Sequence, residues 1–255
     1  MALNAQELGK FVAYRDAVLI FPFIEGRGTK LHDFSRHRNH GTIHGATWTQ
    51  GKFGKALSFD GIDDYVDCGN DESLDITDAI TIAAWVKPVV GDVSKTILGK
   101  VSFRTGYMMY QAEGKRYQVY LGNGSDWVAW GGTYSFVDNK WTHIAFTASM
   151  TDSKLRLYVD GVQHDSFDIS SPWISSKNPF KIGKGEYGTG SFNGTIDEVR
   201  IYNRALSEEE IKCLYLNSFK KPKPTCVTRR GVYQAVKNEG IELTGNSLKC
   251  VEAMV

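Results

Sequence analysis

Proline and cysteine are scarce in this chain, and neither sign of charge prevails. Six prolines and four cysteines are spread over 255 residues. The cysteines, Cys68, Cys213, Cys226 and Cys250, form no CxxC pair, which argues against a structural zinc site; the spacing leaves one disulfide open, Cys226 to Cys250. Thirty basic residues against 29 acidic ones leave a net charge of +1. No long-range field gathers a polyanionic duplex, so a nucleic-acid partner is not expected. The longest apolar run, residues 17–24, is far shorter than the roughly 20 residues a membrane-spanning helix needs, and no membrane partner is expected. The start, MALNAQELGKFVAYRDA, lacks a basic segment followed by an apolar core and does not read as a secretory signal. The expected location is therefore a virion surface or the cytoplasm, or outside the cell by a non-classical route.

Glycine, by contrast, is plentiful at 26 residues, and aromatics make up 12% of the chain. Short strands joined by glycine turns account for such a mixture. Residues 80–87 alternate cleanly, with Ile80, Ile82, Ala84 and Val86 on one side and Thr81, Ala83, Trp85 and Lys87 on the other. Residues 141–148 and 154–159 read as paired strands, and Asp160-Gly161 is a hairpin-turn signal because both residues tolerate positive φ. One helix is legible: Ser207 as N-cap, Glu210 three residues on as its capping-box partner, then Ile211, Leu214 and Tyr215 at helical spacing. About a dozen short strands with one helix predict an all-β, antiparallel two-sheet jelly-roll sandwich. Residues 1–15 read as an N-terminal arm, 16–219 as the sandwich, 220–224 (KKPKP) as a stiff linker and 225–255 as a small tail or appendage. The segments GKFGKALSFDGIDDYVDCG (51–69) and FNGTIDEVRIYNRALSEEEI (192–211) are expected to meet in space.

Over residues 16–217 these motifs resemble the laminin-G-like jelly rolls of the concanavalin A-like lectin/glucanase fold. VLIFPFIEGRGTKLHDFSRHRNHGTIHGATW is similar to the family's opening strand and loop, AITIAAWVKP, KWTHIAFTAS, KLRLYVDGV and FKIGK to successive strands, and GTIDEVRIYNRALSEEEI to its closing strand and helix. The basic run Ser35-Arg36-His37-Arg38-Asn39-His40 departs from the small polar loop common in relatives. The resemblance implies a fold that hosts lectins, adhesion modules, enzymes and virion parts, so function has to be read from sites.

Three groups of residues are candidates. Asp60 and Asp64 (with Asp63 between them in the same turn) and Asp197 in the closing strand suggest a structural calcium, which wants six to eight oxygens, with the Glu25 region adding ligands. The resemblance also implies a calcium tying the N-terminal loop to the last strand. Trp127, Trp130, Tyr134, Trp173 and Tyr187 lie in or beside Gly/Ser/Asn-rich segments and are candidates for stacking on sugars, with Arg104, Asn123 and Asp126 as the polar partners. Strand alternation sends one of Trp127 and Trp130 inward, and Trp85 and Trp141 read as core. Four histidines, His32, His37, His40 and His44, share a loop with Lys30, Arg36 and Arg38; their spacing matches no zinc motif, and the loop reads as a solvated basic surface able to meet an acidic glycan or protein face.

No catalytic residues are expected. The paired carboxylates of the fold's glucanases, a Gly-x-Ser-x-Gly elbow, an HExxH and a P-loop are all missing from the sequence. The reading is a non-catalytic recognition or adhesion module that binds a glycan or a protein surface. The alternatives are a structural decoration or attachment protein of a phage or virus particle, with capsid or other virion proteins as partners, and a polysaccharide hydrolase or lyase of the same fold.

Overall fold

A computed structural model describes residues 16–185 and 189–216. The expected arm, linker and tail lie outside the described residues, as do Cys226, Cys250 and Tyr187.

Two antiparallel sheets enclose one core. Sheet A holds β1 (Ala17–Phe21), β4 (Thr47–Gly51), β5 (Gly54–Asp60), β7 (Ala79–Pro88), β12 (Thr142–Ser149), β13 (Lys154–Val159), β14 (Val162–Asp168) and β17 (Asn193–Tyr202). Its order is β14-β13-β12-β7-β17-β5-β4, with β1 beside the later half of β17. Sheet B holds β2 (Lys30–Leu31), β3 (Gly41–His44), β6 (Tyr65–Asp67), β8 (Lys95–Ser102), β9 (Thr105–Gln111), β10 (Tyr117–Asn123), β11 (Trp127–Gly131), β15 (Lys181–Ile182) and β16 (Gly190–Ser191). Its order is β11-β10-β9-β8-β15-β6-β3-β2. The short β16 is the exception to the antiparallel pattern, pairing parallel with β8.

Alternation places the core as the sequence predicts. Ile80, Ile82, Ala84 and Val86 of β7 face inward, as do Leu155, Leu157 and Val159 of β13. The Asp160-Gly161 turn has φ of 48° and 80°, the doubly positive pair that matches strand twist in a tight hairpin. The two distant motifs meet as expected, with Asn193 to Ile196 of β17 pairing with Asp60 to Leu57 of β5. The helix Glu208–Leu216 starts on the predicted box: Ser207 N–H donates to Glu210 Oε2 (2.9 Å), and Glu210 N–H donates to Ser207 Oγ (3.3 Å).

One core-facing residue breaks the pattern. A register shift at Ile97 turns both Ile97 and Leu98 into the core and puts Lys100 on the inward side, opposite Tyr107, where it is wholly buried. A buried ammonium must be matched by oxygens. Its Nζ donates to Ser176 O (2.7 Å), Asn178 O (3.0 Å) and Asn70 Oδ1, and lies 3.0 Å from Asp75 Oδ1. Lys100 therefore ties the 70–75 and 176–178 loops together at one end of the sandwich.

Candidate ligand-binding face

The outer face of sheet A is covered. The helix seats Ile211 and Leu214 over Ala83, Ala145, Tyr158 and Tyr202. Trp85 points outward from β7 but is sealed by Tyr215 (ring centroids 5.5 Å), Phe53 (5.7 Å) and the Lys52 ammonium (4.5 Å). Trp85 therefore belongs to this cover and not to the inter-sheet core, while Trp141, expected in the core, is half-exposed with Lys87 over its ring. A bulge at Glu198, whose φ is 54°, buries Asp197, Glu198 and Arg200 together, with Glu198 and Arg200 paired at 2.7 Å. Asp197 Oδ2 accepts from Phe53 N–H (3.0 Å), and a Cβ on Gly51 would sit 2.6 Å from that oxygen. The GKFG turn and the IDEVR strand therefore interlock through Asp197, and the glycine is required there.

Among the described residues no α-helix lies over the outer face of sheet B, and its β10–β11 edge carries aromatic rings. Alternation alone would send Trp127 and Trp130 to opposite sides. The register shift between Leu121 and Gly122 instead leaves Trp130 opposite Tyr120 and Trp127 opposite Gly122, and tucks both Val128 and Ala129 into the core. The extra residue re-aims the strand so that both tryptophans share the outer face. Trp127 stacks on Tyr120 (4.8 Å, 20°) and Tyr120 on Tyr110 (4.6 Å, 26°), while Trp130 meets Tyr120 edge-on at 6.3 Å. Stacking covers both faces of Tyr120 and one face each of Trp127 and Tyr110; Trp130, 58% exposed, is the most open of the four rings. Beside it, Gln118 accepts from Tyr110 OH and donates from Nε2 to Gly132 O (3.3 Å), so two polar side chains are held in place next to the rings. Burial pushes the Tyr110 hydroxyl well above its ordinary range, and its contact with the Tyr120 hydroxyl pushes the same way, so it stays protonated. Tyr110 was legible as an outward position from the alternation of residues 106–111, and Gln118 and Tyr120 from that of residues 116–121, once that face was known to matter.

The remaining sugar-binding candidates divide. Arg104, Asn123 and Asp126 form the turn next to Trp127. Asn123 Oδ1 accepts from Ser125 and Asp126 N–H (2.9 and 2.8 Å), Asp126 Oδ1 accepts from Trp127 N–H (2.8 Å), and Arg104 Nη1 donates to Ser125 O (2.6 Å). Their first role is to shape the turn that presents Trp127. Trp173 is corrected from surface to core: it is 1% exposed and donates from Nε1 to Ile76 O (2.9 Å), because the loop carrying it fills one end of the sandwich. Tyr134 is likewise corrected, since it packs against the core beside Phe136 and away from the outer rings.

The expected calcium ligands do not assemble as a set. Asp60 and Asp64 converge with Asp63, their nearest oxygens lying within 4.8 Å of one another. Asp197 is four positions along β17 from Asn193, the partner of Asp60, a separation of roughly 13 Å at about 3.3 Å per residue. Glu25 is committed to the His32 backbone N–H (2.7 Å) and ring (3.0 Å), in a segment packed by Lys55 at the opposite end of β5 from Asp60. The turn carboxylates already serve turn amides: Asp60 Oδ1 accepts from Ile62 N–H (2.8 Å) and Asp64 Oδ2 from Asp60 N–H (2.9 Å). Burial raises the Asp64 pKa, and the Asp60 and Asp63 charges raise it further, against the lowering by the Asp60 amide. Of the expected ligand set, the Asp60–Asp64 turn thus brings together its own carboxylates, to which calcium would have to add carbonyl or water oxygens to reach six to eight.

At the opposite edge of sheet B, the basic loop between β2 and β3 has a rigid foundation. The buried Asp33 carboxylate accepts from Ile20 N–H, Ser35 N–H, Ser35 Oγ and Asn39 N–H at 2.6–2.8 Å, and Asn39 donates to Val18 O and Ser73 Oγ. Arg36 and Arg38 project from this base, Arg38 with φ of 60°. Arg27, Lys30, Arg36 and Arg38 are exposed, and their side chains form no ion pair or hydrogen bond among the described residues. His40 reports their field: burial lowers its pKa, and Lys30, His32 and Arg38 lower it further. With His40 Nδ1 accepting from Asp33 N–H (3.0 Å), the neutral ring carries its proton on Nε2, so neither nitrogen offers a lone pair to a metal.

These features define a two-sheet jelly roll with one face sealed and one open. The chain belongs to the concanavalin A-like lectin/glucanases superfamily, whose laminin-G family model matches residues 60–212. Comparison with curated proteins finds no sequence match. Among solved structures it is similar to the binding domain of Paraclostridial mosquitocidal protein 1 (16% identity, TM-score 0.68, covering 84% of this chain and 53% of that one). It is also similar to domain 4 of AbnA, a GH43 extracellular arabinanase from Geobacillus stearothermophilus, in complex with arabinotriose (19%, TM-score 0.63, 78% and 98%). A third is the binding domain of botulinum neurotoxin serotype G (16%, TM-score 0.64, 78% and 50%). The chain spans about half the length of the first and third of these.

Proposed function

We propose that this protein is a non-catalytic saccharide-recognition module whose sugar stacks on Trp130 at the β10–β11 edge of sheet B. The observation that carries this reading is the bulge in β11, which brings Trp127 and Trp130 to one face and leaves the Trp130 ring open. A pyranose or furanose presents C–H groups to a flat ring and hydroxyls to its rim. Trp130 supplies the ring, and Gln118 with the tyrosine hydroxyls supplies fixed polar groups nearby. The similarity to a domain solved with arabinotriose supports a saccharide as the ligand class. Trp130 is the most exposed of the four rings, so the reading assigns the stacked sugar to it.

The test is a glycan array of neutral and acidic saccharides, arabinan among them, probed with the wild type, Trp130→Ala and Trp141→Ala. Trp141 lies beside Lys87 of sheet A and serves as the control. Trp130→Ala is expected to weaken every hit at least tenfold, as removal of a central aromatic anchor does, while Trp141→Ala leaves them in place. Binding that survives Trp130→Ala, or a wild type that holds no glycan, overturns the reading.

A further inference from the structure

The pairing register ties the two edges of sheet B into one row on its outer face. Trp130 lies opposite Tyr120, Tyr120 opposite Met108, and Met108 opposite Gly99. Gly99 then faces Lys181, Lys181 faces Asp67, Asp67 faces Thr42, and Thr42 faces Lys30. Residues directly opposite in a ladder point to the same side. The open tryptophan and the basic loop are therefore the two ends of a single line across eight strands. At about 4.8 Å per step, seven steps span roughly 34 Å.

Charge along this line is uneven. The Trp130 end carries aromatic and neutral polar groups. Past the middle, Lys181 and Lys184 lie over the Tyr65 ring, at 5.6 and 4.9 Å, and His44 stacks on the same ring at 4.5 Å. The line ends at Lys30, with Arg36 and Arg38 on their Asp33-anchored loop. The row's one carboxylate, Asp67, lies two strands in and accepts from Gly69 N–H (2.8 Å), while the side chains of Lys30, Arg36 and Arg38 form no ion pair among the described residues and the loop's shape is set before any ligand arrives, so little ordering opposes binding. Its arginines match carboxylate or sulfate in planar, two-point fashion.

We propose that the ligand is an acidic polysaccharide lying across the strands of sheet B, with one sugar on Trp130 and its carboxylate or sulfate groups at the Lys30–Arg36–Arg38 edge. This rests on the saccharide reading above and deepens it: Trp130 selects a sugar, and the basic edge selects a polyanion long enough to reach it. An acidic protein segment would pair with the cations and leave Trp130 without a role.

The experiment measures affinity and its salt dependence for polygalacturonate (carboxylate), heparin (sulfate), a galacturonate disaccharide, neutral arabinan and poly-glutamate. The proteins are the wild type, Trp130→Ala, the triple variant Lys30→Gln/Arg36→Gln/Arg38→Gln, and a control that removes the same charge elsewhere (Lys87→Gln/Lys140→Gln/Lys212→Gln). All three edge residues are exposed, so the triple variant keeps the fold. The expected result is tighter binding of one or both acidic polysaccharides than of arabinan, with the preferred polymer identifying carboxylate or sulfate as the group recognised. The triple variant is expected to weaken that binding at least tenfold and to flatten the slope of log K against log salt by about 2, by analogy with roughly 0.7 per charge on a single-stranded polyanion. The disaccharide, too short to span 34 Å, should depend on Trp130 alone. A triple variant that behaves like the control while Trp130→Ala still abolishes binding overturns this inference and leaves the saccharide reading standing. Indifference to Trp130→Ala, or a preference for poly-glutamate, overturns both.

Discussion

The two sheets of this sandwich treat their outer faces in opposite ways. Sheet A covers its face with the helix and the GKFG turn, and the polar groups beneath are bonded to one another: Asp197 to the Phe53 amide, Glu198 to Arg200, Thr81 Oγ1 to Arg204 O. Sheet B, among the described residues, has no α-helix over its face, and it sets an open tryptophan at one edge and four cations with unpaired side chains at or beside the other. The buried Asp197, Glu198 and Arg200 thus belong to the closed face. Such a cluster in an open cleft would invite a catalytic reading; sealed under aromatic rings it positions strands. Substitutions that unfold the protein are therefore expected under sheet A's cover, and substitutions that change binding on sheet B.

The strongest way to break this contrast is Glu198→Ala. Both members of the Glu198–Arg200 pair are nearly inaccessible, with side-chain exposures of 2% and 3%. Removing one partner of a buried pair costs about 3–5 kcal/mol. For a domain of this size that lowers the melting midpoint by roughly 6–20 °C. A midpoint unchanged within 2 °C, on the order of an exposed-site substitution, would mean that the closed face is not what holds the sandwich.

Much of this division was legible in the sequence, and the illegible parts share a cause. The strands, the Asp160-Gly161 turn and the Ser207 capping box are local patterns with local physics, and they appear where the residues put them. So does the meeting of residues 51–69 with the closing strand, made by β5–β17 pairing and by Asp197 on the Phe53 amide. Asp197 and Asp60 were grouped because both lie in acidic segments, but pairing register, which no local pattern encodes, sets them far apart. The positions of β8, β11 and β17 that depart from simple alternation each sit beside a bulge. The shift at Ile97 sends Lys100 inward, the one at Val128 sends Trp130 outward beside Trp127, and the one at Glu198 buries adjacent carboxylates together. A single extra residue inverts every parity beyond it, and nothing in the composition announces where that residue falls. Trp173 misled for another reason: its segment is rich in serine and asparagine like a surface loop, yet it crosses the end of the core, where Trp173 finds Ile76 O for its N–H.

A sharper probe of the closed face is pH. His143 packs between Trp85 and Tyr215, 5.4 and 5.9 Å from their centroids, and its Nδ1 has no hydrogen-bond partner among the described residues. Burial pulls its pKa from the ordinary 6.5 down to about 3, and the Arg200 charge pulls the same way. Between those two values the unfolded chain binds a proton that the folded one refuses, so stability falls as pH drops from 6.5 toward 3 and the loss stops below that. His143→Phe keeps a ring in the same packing and cannot titrate. The difference in unfolding free energy between wild type and variant should therefore change by up to about 1.4 kcal/mol per pH unit across pH 4–6 and be flat above pH 7.5. Parallel stability curves from pH 4 to 8 would place His143 in contact with water and the sheet A cover ajar.

The smallest expected effect is the most telling for the open face. Trp130 is the largest exposed aromatic on sheet B, and its one ring contact is the edge-on approach to Tyr120. Truncating an exposed side chain ordinarily changes stability by no more than about 0.5 kcal/mol, so Trp130→Ala should melt within 2 °C or so of the wild type. A large tryptophan that costs nothing to remove contributes to no core, and its presence on a face without a helix then answers to a ligand. Its position at the sheet edge fits this, because an edge strand showing an open aromatic risks pairing with other chains. Here Val128 O accepts from both Ser170 N–H (2.9 Å) and Ser170 Oγ (3.0 Å), which occupies the edge of β11 and leaves the ring, not the backbone, as the exposed feature. If Trp130→Ala instead lowers the midpoint as far as Glu198→Ala does, the ring is structural. The two faces would then differ in composition but not in role.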